Sequence, residues 1–459
     1  MKTRRFLSAF FLVVLLFSMT VTPFAQADDP AAKQVTDPNI QAKAALLVDR
    51  ETGAVLYEKN KDQELYPASL TKIMTALLVL EAVDQGSLTL DQEITASASA
   101  FSTLSSDGSS ANIKAGETLT VENLLYCMLV VSANEACTIL AEAVAGSVDG
   151  FVTMMNDKAQ ALGCRHTHFV NPTGLHDSQH YTSAWDLYLI TREALTHDRF
   201  MTICDTAQIT IPATNLSAER TLYTTNYLLS TWRALGYRNK NAHGIKTGST
   251  SDAGHCLVSS AAKGSLSFLS VVLGAERVVS NGRADVQSFS ETTRLFEWGF
   301  ENFSYQTVLS PNDMLASVPV TLSKEASSVA LHCTEDVEVL MPKVLTSEDL
   351  TRTIRFRSKS VEAPVEQGDQ LAEVTLSYGD TVYATVPLVA VASVSASRSL
   401  VILSQIQAFF QRTAVRVVCV VLLLLIIALV VWKLTIGRRR YRYGKSVRQK
   451  RNYRGRRRF

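Results

Sequence analysis

Residues 67–81 of this 459-residue chain read PASLTKIMTALLVLE. From Ser69 to Glu81 the apolar side chains fall on nearly every side of a helix, and such a helix is buried all round rather than along one face. Pro67 comes just ahead, where proline is tolerated because the first backbone N–H groups of a helix have no partners within it. The segment therefore predicts a buried central helix around which a domain packs.

Strand patterns flank this helix on both sides along the chain. The apolar runs are residues 44–49, 54–58, 244–250, 256–262 and 266–273. Helical patterns cover residues 121–146 on either side of Ser132-Ala133-Asn134, residues 152–162 and residues 284–302. Strands at both ends with helices between them predict one sheet built from the two ends of a mixed α/β domain.

Beyond Pro311 the pattern changes to short alternating runs. These runs are residues 315–322, 328–333, 337–341, 350–357 and 371–388, the last broken at Gly379-Asp380. Alternation of apolar and polar residues is typical of strands with one buried face. We therefore expect a second, smaller all-β domain.

Both ends of the chain have the composition of membrane-targeting segments. Residues 1–27 have a basic start, an apolar run over residues 6–17 and the site Ala25-Gln26-Ala27, which predicts a cleaved secretory signal. Residues 417–432 contain no polar side chain, and the run to residue 436 makes about 30 Å of helix, enough for one span. Twelve basic residues follow it, so the positive-inside rule predicts a cytoplasmic tail and an external body.

The net charge of +2 conceals a strong asymmetry. Residues 412–459 hold fifteen basic and no acidic side chains, whereas residues 28–411 hold 27 basic side chains and all 43 acidic ones. A basic tail beside a membrane exit is more simply anchored on anionic lipid headgroups than on nucleic acid. We therefore expect the tail to lie on anionic lipids and expect no nucleic-acid partner.

The cysteines do not form a closely spaced framework. Cys419 lies inside the predicted span, and the other six are widely separated, so buried free thiols are expected rather than a disulfide scaffold. Cys164, His166 and His168 alternate along the chain but lack a fourth ligand at motif spacing. The sequence therefore predicts no metal site, and no other cofactor is expected.

Three short motifs carry the chemistry. Ser69 and Lys72 lie three residues apart, on one face of the buried helix, where an amine in apolar surroundings can act as the base for a serine nucleophile. Ser132 and Asn134 add a hydroxyl and an amide between two helices. Lys246-Thr247-Gly248 adds a cation and a hydroxyl on a strand whose glycine permits close backbone approach. Each motif alone recurs by chance, but their combination in this order is typical of the serine acyl-transferases that react with penicillin.

These residues resemble a known family across residues 42–390. The chain is identified as similar to the low-molecular-mass penicillin-binding proteins of the D-alanyl-D-alanine carboxypeptidase family. Residues 67–75 resemble the active-site helix of that family, residues 169–175 its loop FVNPTGL, and residues 244–250 with Ala253-Gly254 its third motif. The resemblance implies an α/β domain of the β-lactamase/transpeptidase-like fold, then a small all-β domain and one C-terminal transmembrane helix.

The resemblance also implies roles for individual residues. Ser69 would be acylated by the carbonyl between two D-alanines of a peptidoglycan stem peptide, with Lys72 as its base and Ser132 as the relay to the leaving nitrogen. The residues expected to bind substrate are Asn134, Lys246, Thr247, Gly248, Ser249 and Arg283. The backbone N–H groups of Ser69 and Ser249 would form the oxyanion hole. β-Lactams are expected to acylate the same serine.

The expected division of the chain combines these patterns. It comprises a signal peptide (1–27), a linker (28–42), a serine DD-peptidase domain (43–305), a β domain (306–392), a stalk (393–414), a transmembrane helix (415–436) and a basic cytoplasmic tail (437–459). Many relatives have Asp at the positions of Glu135 and His243, and are often held by a C-terminal amphipathic helix. The chain is expected to differ from them in the tuning of the site and in its anchor.

Rival functions share the same motifs. A class A β-lactamase needs a deacylating glutamate some tens of residues after the second motif, and residues 166–180 contain none. Endopeptidase or transpeptidase action on the same stem peptides is compatible with all three motifs. From a different class, the chain could be a penicillin-acylated membrane sensor, but the 23 residues after the span leave no room for a folded cytoplasmic effector.

Overall fold

The computed structural model describes residues 33, 35–102, 104, 108–280 and 282–443, with the backbone alone at residue 283 and at residues 436–443. Within this range the chain forms two compact units. The first runs to Gln306 and includes Leu340–Thr346, and the second comprises Thr307–Val339 and the chain from Ser347 onward. The predicted signal peptide, and the basic tail beyond Tyr443, lie outside the described residues.

The first unit is a mixed α/β structure. Its strands are β1 (Ala44–Asp49), β2 (Val55–Lys59), β3 (Glu93–Thr95), β4 (Thr118–Thr120), β5 (Gln208–Ile211), β6 (Arg220–Tyr223), β7 (Ala242–Thr250), β8 (Gly254–Lys263), β9 (Leu266–Ala275), β10 (Arg277–Ser280) and β11 (Arg283–Val286). Its α-helices are α1 (Lys72–Asp84), α2 (Val121–Val130), α3 (Asn134–Ala145), α4 (Val148–Ala161), α5 (Ala184–Ala194), α6 (Asp198–Cys204) and α7 (Gln287–Asn302).

The main sheet is built from both ends of this unit, as the sequence predicts. Its strand order is β2-β1-β9-β8-β7 and all its pairs are antiparallel. Every residue of β1 is buried, and its side chains alternate between two hydrophobic clusters, with Leu46 in one and Leu47 in the other. The sheet is therefore covered on both faces, by α7 on one side and by the helices that surround α1 on the other.

The central helix is buried as expected, but it begins later than its sequence suggests. All residues from Lys72 to Leu80 are buried. Ser69 lies ahead of it in a 3₁₀ turn, Ala68–Thr71, in which the Thr71 hydroxyl donates to the Ala68 carbonyl oxygen at 3.0 Å. This side-chain bond closes the tighter turn, so the nucleophile candidate stands at the entrance of the helix rather than within it.

The expected helix at residues 284–302 also starts late. Residues 283–286 pair with β10 as a short hairpin, and α7 begins at Gln287. Gly299 lets α7 approach the sheet, because a Cβ there would lie 2.8 Å from a Phe268 ring carbon and 3.0 Å from Leu47. The pairing of β11 with β10 overrides the local helical preference, since tertiary contacts decide short segments.

The second unit is the small all-β domain that the sequence predicts. Its strands are β13 (Ala316–Thr321), β14 (Ser328–His332), β16 (Thr351–Phe356), β17 (Val361–Glu362), β18 (Gln370–Tyr378) and β19 (Thr381–Ala390), while β12 (Phe303–Leu309) and β15 (Val337–Pro342) cross the boundary between the units. Six of them form one sheet in the order β16-β18-β19-β14-β13-β17. Alternate residues of β18 are buried, which is why the polar and apolar residues alternate there.

Two helices follow the β domain. Helix α8 (Arg398–Gln411) lies within the segment expected to be a stalk, and its chain direction changes at Arg412 before α9 (Thr413–Tyr443). The part Thr413–Thr435 has a mean hydropathy of 3.3 and is 23 residues long, about 35 Å of helix. It is a candidate membrane anchor by length and composition.

Candidate active site

The site is organised around the amine of Lys72. Its Nζ atom lies 2.8 Å from Ser69 Oγ, 2.8 Å from Asn134 Oδ1 and 2.8 Å from the Thr173 carbonyl oxygen. The Lys72 side chain is fully buried. Residues from the first motif, the second motif and the FVNPTGL loop thus converge on one atom.

This environment favours the uncharged amine. Burial is the main cause that lowers the pKa of Lys72, against smaller opposing effects of Cys137 and Glu135. A neutral amine has two N–H bonds and one lone pair. In that form the two N–H bonds can be donated to the oxygens of Asn134 and Thr173, which leaves the lone pair for the proton of the Ser69 hydroxyl.

Ser132 occupies the bend between α2 and α3. Its φ of +67° is in the left-handed region, and its side chain is buried. Its Oγ atom has no hydrogen-bond partner among the described residues. A buried serine with a left-handed backbone and an unpartnered hydroxyl is typical of a functional position.

The third motif lies on β7, directly beside the nucleophile turn. A Cβ at Gly248 would lie 2.9 Å from the Pro67 carbonyl oxygen and 3.1 Å from the Ser69 nitrogen, so only glycine permits this approach. Burial, and then the charge of Lys72, lower the pKa of Lys246 to about 7. The Thr247 hydroxyl lies 2.6 Å from that of Thr225. A positive charge on Lys72 therefore disfavours a positive charge on Lys246.

Ser69 stands between two cavities. One cavity, of about 200 Å³, is lined by Ser132, Thr247, Gly248 and Ser249 among others, and we call it the main cavity because Ser132 and Thr247 meet there. The other, of about 280 Å³, is lined by Asn134, Thr173 and Ser249 among others, and we call it the side cavity. Ser69 and Ser249 line both. An acyl donor can therefore extend on either side of the nucleophile.

Arg233 is a main-cavity residue that sequence reasoning missed. Its guanidinium donates to the Tyr223 carbonyl oxygen at 3.2 Å, and the neighbouring Trp232 ring stacks on Tyr223 at 4.1 Å. No motif contains Arg233, and the only signal is a Trp-Arg pair between the second and third motifs. The backbone of Arg283 belongs to β11, and its side chain lies outside the described part of the structure.

The two departures from the family pattern lie away from the cavities. Glu135 is buried and accepts hydrogen bonds from the Ser110 hydroxyl and the Ala111 N–H, both at 2.7 Å, which ties the 110–113 segment to α3. His243 Nδ1 lies 3.0 Å from Asp205 Oδ2 at the surface end of β7. Neither residue lines the two cavities, although the charge of Glu135 raises the pKa of Lys72.

The described residues contain no group of three or more His, Cys, Asp or Glu side chains placed to hold a metal. His166 and His168 contact separate partners, Glu64 and the Gln179 carbonyl oxygen. The thiols of Cys127, Cys137, Cys204, Cys256 and Cys333 are free and buried.

Comparison with known proteins gives a consistent result for both units. Residues 31–277 match the profile of the D-alanyl-D-alanine carboxypeptidase family, and residues 303–396 match the C-terminal domain of penicillin-binding protein 5. D-alanyl-D-alanine carboxypeptidase DacF of Bacillus subtilis is 30% identical over 84% of this chain and 94% of its own length. DacC of Escherichia coli is 31% identical over 78% of this chain and 84% of its own length.

Solved structures resemble both units. Penicillin-binding protein 5 of Haemophilus influenzae is 29% identical, has a TM-score of 0.60 and covers 79% of this chain and 100% of its own. A peptidoglycan synthesis regulatory factor (PBP3) of Streptococcus pneumoniae is 28% identical, with a TM-score of 0.59, and covers 78% and 100%. These likenesses confirm the predicted transpeptidase-like domain followed by an all-β domain.

The buried amine predicts the pH dependence of Ser69 acylation. If Lys72 is the base, as the sequence predicts, only its neutral form accepts the proton, so the rate should rise with pH through the lysine titration and fall about tenfold per pH unit below it. Acylation by an uncharged activated ester, followed by mass spectrometry between about pH 5 and about pH 9, measures this. Lys72→Arg, which stays charged, should lose the reaction at every pH, whereas a pH-independent rate in the unsubstituted protein would contradict the role of Lys72 as the base.

Proposed function

We propose, because this chain belongs to the D-alanyl-D-alanine carboxypeptidase family, that Ser69 is the nucleophile with which it releases the terminal D-alanine of peptidoglycan stem pentapeptides. The chain is a serine peptidase with D-alanyl-D-alanine carboxypeptidase activity and a penicillin-binding protein. The observation that carries the assignment of Ser69 is its 2.8 Å contact with the buried amine of Lys72. We further propose that β-lactams acylate the same oxygen.

The acylation step follows from the position of the amine. Ser69 Oγ attacks the carbonyl carbon between the two D-alanines while its proton passes to the lone pair of Lys72. The backbone N–H groups of Ser69 and Ser249 donate hydrogen bonds to the carbonyl oxygen as it becomes negatively charged. Asn134, whose Oδ1 accepts a hydrogen bond from Lys72, offers its amide nitrogen to the substrate backbone.

Collapse of the tetrahedral intermediate breaks the C–N bond. The leaving D-alanine nitrogen needs one proton, and the unpartnered hydroxyl of Ser132 is the group proposed to supply it. Ser132 regains a proton from Lys72, which had taken it from Ser69, so the net change is transfer of the Ser69 proton to the leaving amine. Water then attacks the acyl-enzyme by the reverse roles, which frees Ser69 and the shortened stem peptide.

The terminal carboxylate of the substrate requires a cation. Lys246 and Thr247 are proposed to bind it, but a lysine with a pKa of about 7 is only partly charged at neutral pH. A guanidinium stays charged, and Arg283 is the candidate by resemblance to the family. Arg233 is a second candidate, because it lines the same cavity as Thr247.

The membrane arrangement is proposed from the chain order. Helix α9 carries the candidate span at Thr413–Thr435, and basic residues follow it in the sequence. We propose one C-terminal span, with both folded units outside the cytoplasmic membrane and the tail on anionic lipid headgroups inside. This places the active site in the compartment that contains peptidoglycan.

Product analysis tests the nucleophile and the reaction together. The full chain in detergent should release free D-alanine from pentapeptide muropeptides and form few or no cross-linked dimers, as measured by mass spectrometry. Ser69→Ala should lower the release by at least about a thousandfold and abolish labelling by fluorescent penicillin. Ser251→Ala, at an exposed serine near the third motif, should react normally. Labelling that survives in Ser69→Ala would refute the assignment, and abundant dimers would favour transpeptidation.

The cation that binds the substrate carboxylate can be identified by comparing arginine variants on two substrates, one with a free and one with an amidated terminal carboxylate. Loss of a charge-assisted contact to the free terminus should cost about tenfold to a hundredfold in kcat/KM. Amidation of the terminal carboxylate should therefore lower the kcat/KM of the unsubstituted enzyme by that factor. In a variant that lacks the guanidinium which binds the carboxylate, amidation should lower kcat/KM much less. Arg233→Gln and Arg283→Gln are compared, with Arg238→Gln, an exposed residue outside the main cavity, as control. Equal rates on the two substrates in the unsubstituted enzyme would contradict a carboxylate pocket.

Topology is tested by proteolysis of intact cells from which the outer barriers have been removed. Protease should degrade both folded units and leave an epitope after Phe459 attached to a protected fragment that contains Thr413–Thr435. Permeabilised cells, in which the epitope should also disappear, are the control. Loss of the epitope with survival of the folded units in intact cells would reverse the proposed orientation.

A further inference from the structure

A buried histidine lies behind the nucleophile turn. His180 is only 2% exposed, and its Nε2 atom lies 2.8 Å from Thr71 Oγ1. Its other ring nitrogen, Nδ1, accepts the backbone N–H of Val170 at 3.2 Å. A neutral imidazole carries one N–H, so Nε2 is the protonated nitrogen and donates to Thr71.

The chain of hydrogen bonds continues to the residue before the nucleophile. Having accepted from His180, the Thr71 hydroxyl donates to the Ala68 carbonyl oxygen at 3.0 Å. Thr71 lies between Ser69 and Lys72 in the sequence. The histidine therefore connects through a single hydroxyl to the turn that holds both groups.

We propose that His180 is a positioning residue for acylation, which acts through Thr71 to hold the turn that sets Ser69 Oγ against Lys72 Nζ. The inference rests on the proposed role of Ser69 and adds a residue that none of the three motifs contains. His180 touches neither reacting group, so its effect is indirect. It fixes geometry and moves no proton in the reaction.

The turn needs such support because its backbone is unusual. Ala68 has a φ of +46°, a left-handed conformation that residues with a side chain rarely adopt. Gly174 packs directly against this turn, because a Cβ there would lie 1.9 Å from the Ala68 carbonyl oxygen and 2.8 Å from Thr71 Oγ1. The Ala68 carbonyl is thus contacted by both the Thr71 hydroxyl and the FVNPTGL loop. Strained backbone of this kind persists only where its surroundings fix it.

The surroundings of His180 keep the imidazole in one protonation state. Burial lowers its pKa to about 4, with a smaller lowering by His168 and His176 and an opposing effect of Asp177. The Phe169 ring packs edge-on against it at 5.5 Å between centroids. The histidine is therefore neutral across the physiological range, and the direction of its hydrogen bond to Thr71 does not change.

Four variants of the full chain in detergent test this inference. Thr71→Val and His180→Leu break the hydrogen-bond chain, whereas Thr71→Ser keeps the hydroxyl and His180→Gln keeps a side-chain N–H donor. Thr138→Val is the matched control, because its equally buried hydroxyl donates to the Ala100 carbonyl oxygen at 2.7 Å on another helix. Prolonged labelling with fluorescent penicillin counts the folded sites, and all rates are expressed per labelled site.

A positioning role predicts a specific pattern of rates. Thr71→Val and His180→Leu should lower kcat for D-alanine release about tenfold to a hundredfold, since misplacement of a nucleophile by even 1 Å has effects of this size. KM should change by less than about threefold, and Thr71→Ser and His180→Gln should stay within about threefold of the unsubstituted rate. The double variant should be no slower than the slower single variant, because both break one chain.

Two results would overturn the inference. One is a rate of D-alanine release per labelled site in Thr71→Val that equals the rate of the unsubstituted protein. The other is a rate loss in the double variant that equals the product of the losses in the two single variants. If His180→Leu yields no labelled sites, Thr71→Val, which removes one hydroxyl, decides the matter by itself. Thr138→Val should lower the melting temperature without changing the rate, and a rate loss there equal to that of Thr71→Val would indicate general destabilisation. Continued D-alanine release by Ser69→Ala refutes the proposed function separately.

Discussion

The active site depends on burying an amine that water would keep charged. Lys72 is enclosed on all sides, and Lys246 is almost as buried and has its pKa lowered by burial and then by the charge of Lys72. Burying an ammonium is costly, and for Lys72 this cost outweighs the opposite effects of Cys137 and Glu135 on its pKa. The fold thus lowers the pKa of Lys72, as its proposed role as a base requires, and the apolar sequence around residues 73–80 supplies the enclosure.

The same enclosure fixes the direction of the base. Two carbonyl oxygens, from Asn134 and Thr173, accept hydrogen bonds from the Lys72 amine. They belong to segments about 60 and 100 residues away along the chain. Glycines permit this convergence where backbones nearly touch. Gly248 brings β7 against the turn that holds Ser69, and Gly174 brings the FVNPTGL loop against its other side. A side chain at either position would separate elements that must meet for the reaction.

The two units divide the work differently. The first contains every described residue of the proposed mechanism, whereas the second is a six-stranded β structure that continues into α8 and α9. Family membership assigns catalysis to the first unit. The second unit also matches a domain named from penicillin-binding protein 5, and its hydrophobic C-terminal helix is a candidate anchor for the chain.

The sequence by itself determined the elements whose signal is local. The existence of the buried central helix, the five main-sheet strands, the alternating strands of the β domain and the apolar run near the C-terminus follows from patterns that one segment can reveal. The motif residues were recognisable for a similar reason, since their spacing is short. The structure brings Ser69, Lys72 and Asn134 into direct contact and lines the cavities with Ser132, Thr247, Gly248 and Ser249.

Only the tertiary structure decided features that depend on distant segments. The start of α1 moved from Ser69 to Lys72 because the Thr71 hydroxyl bonds to the Ala68 carbonyl, and α7 started late because residues 283–286 pair with β10. His180 and Arg233 acquire their positions from long-range packing and have no periodic or motif signal. Thr173 lies in the FVNPTGL loop, but its contact with Lys72 is visible only in the structure. The pKa values of Lys72 and Lys246 likewise depend on enclosure by the whole first unit. Periodicity reports which face of a segment is buried, but not which distant atoms enclose it, so the chemistry of this site was fixed only when the chain folded.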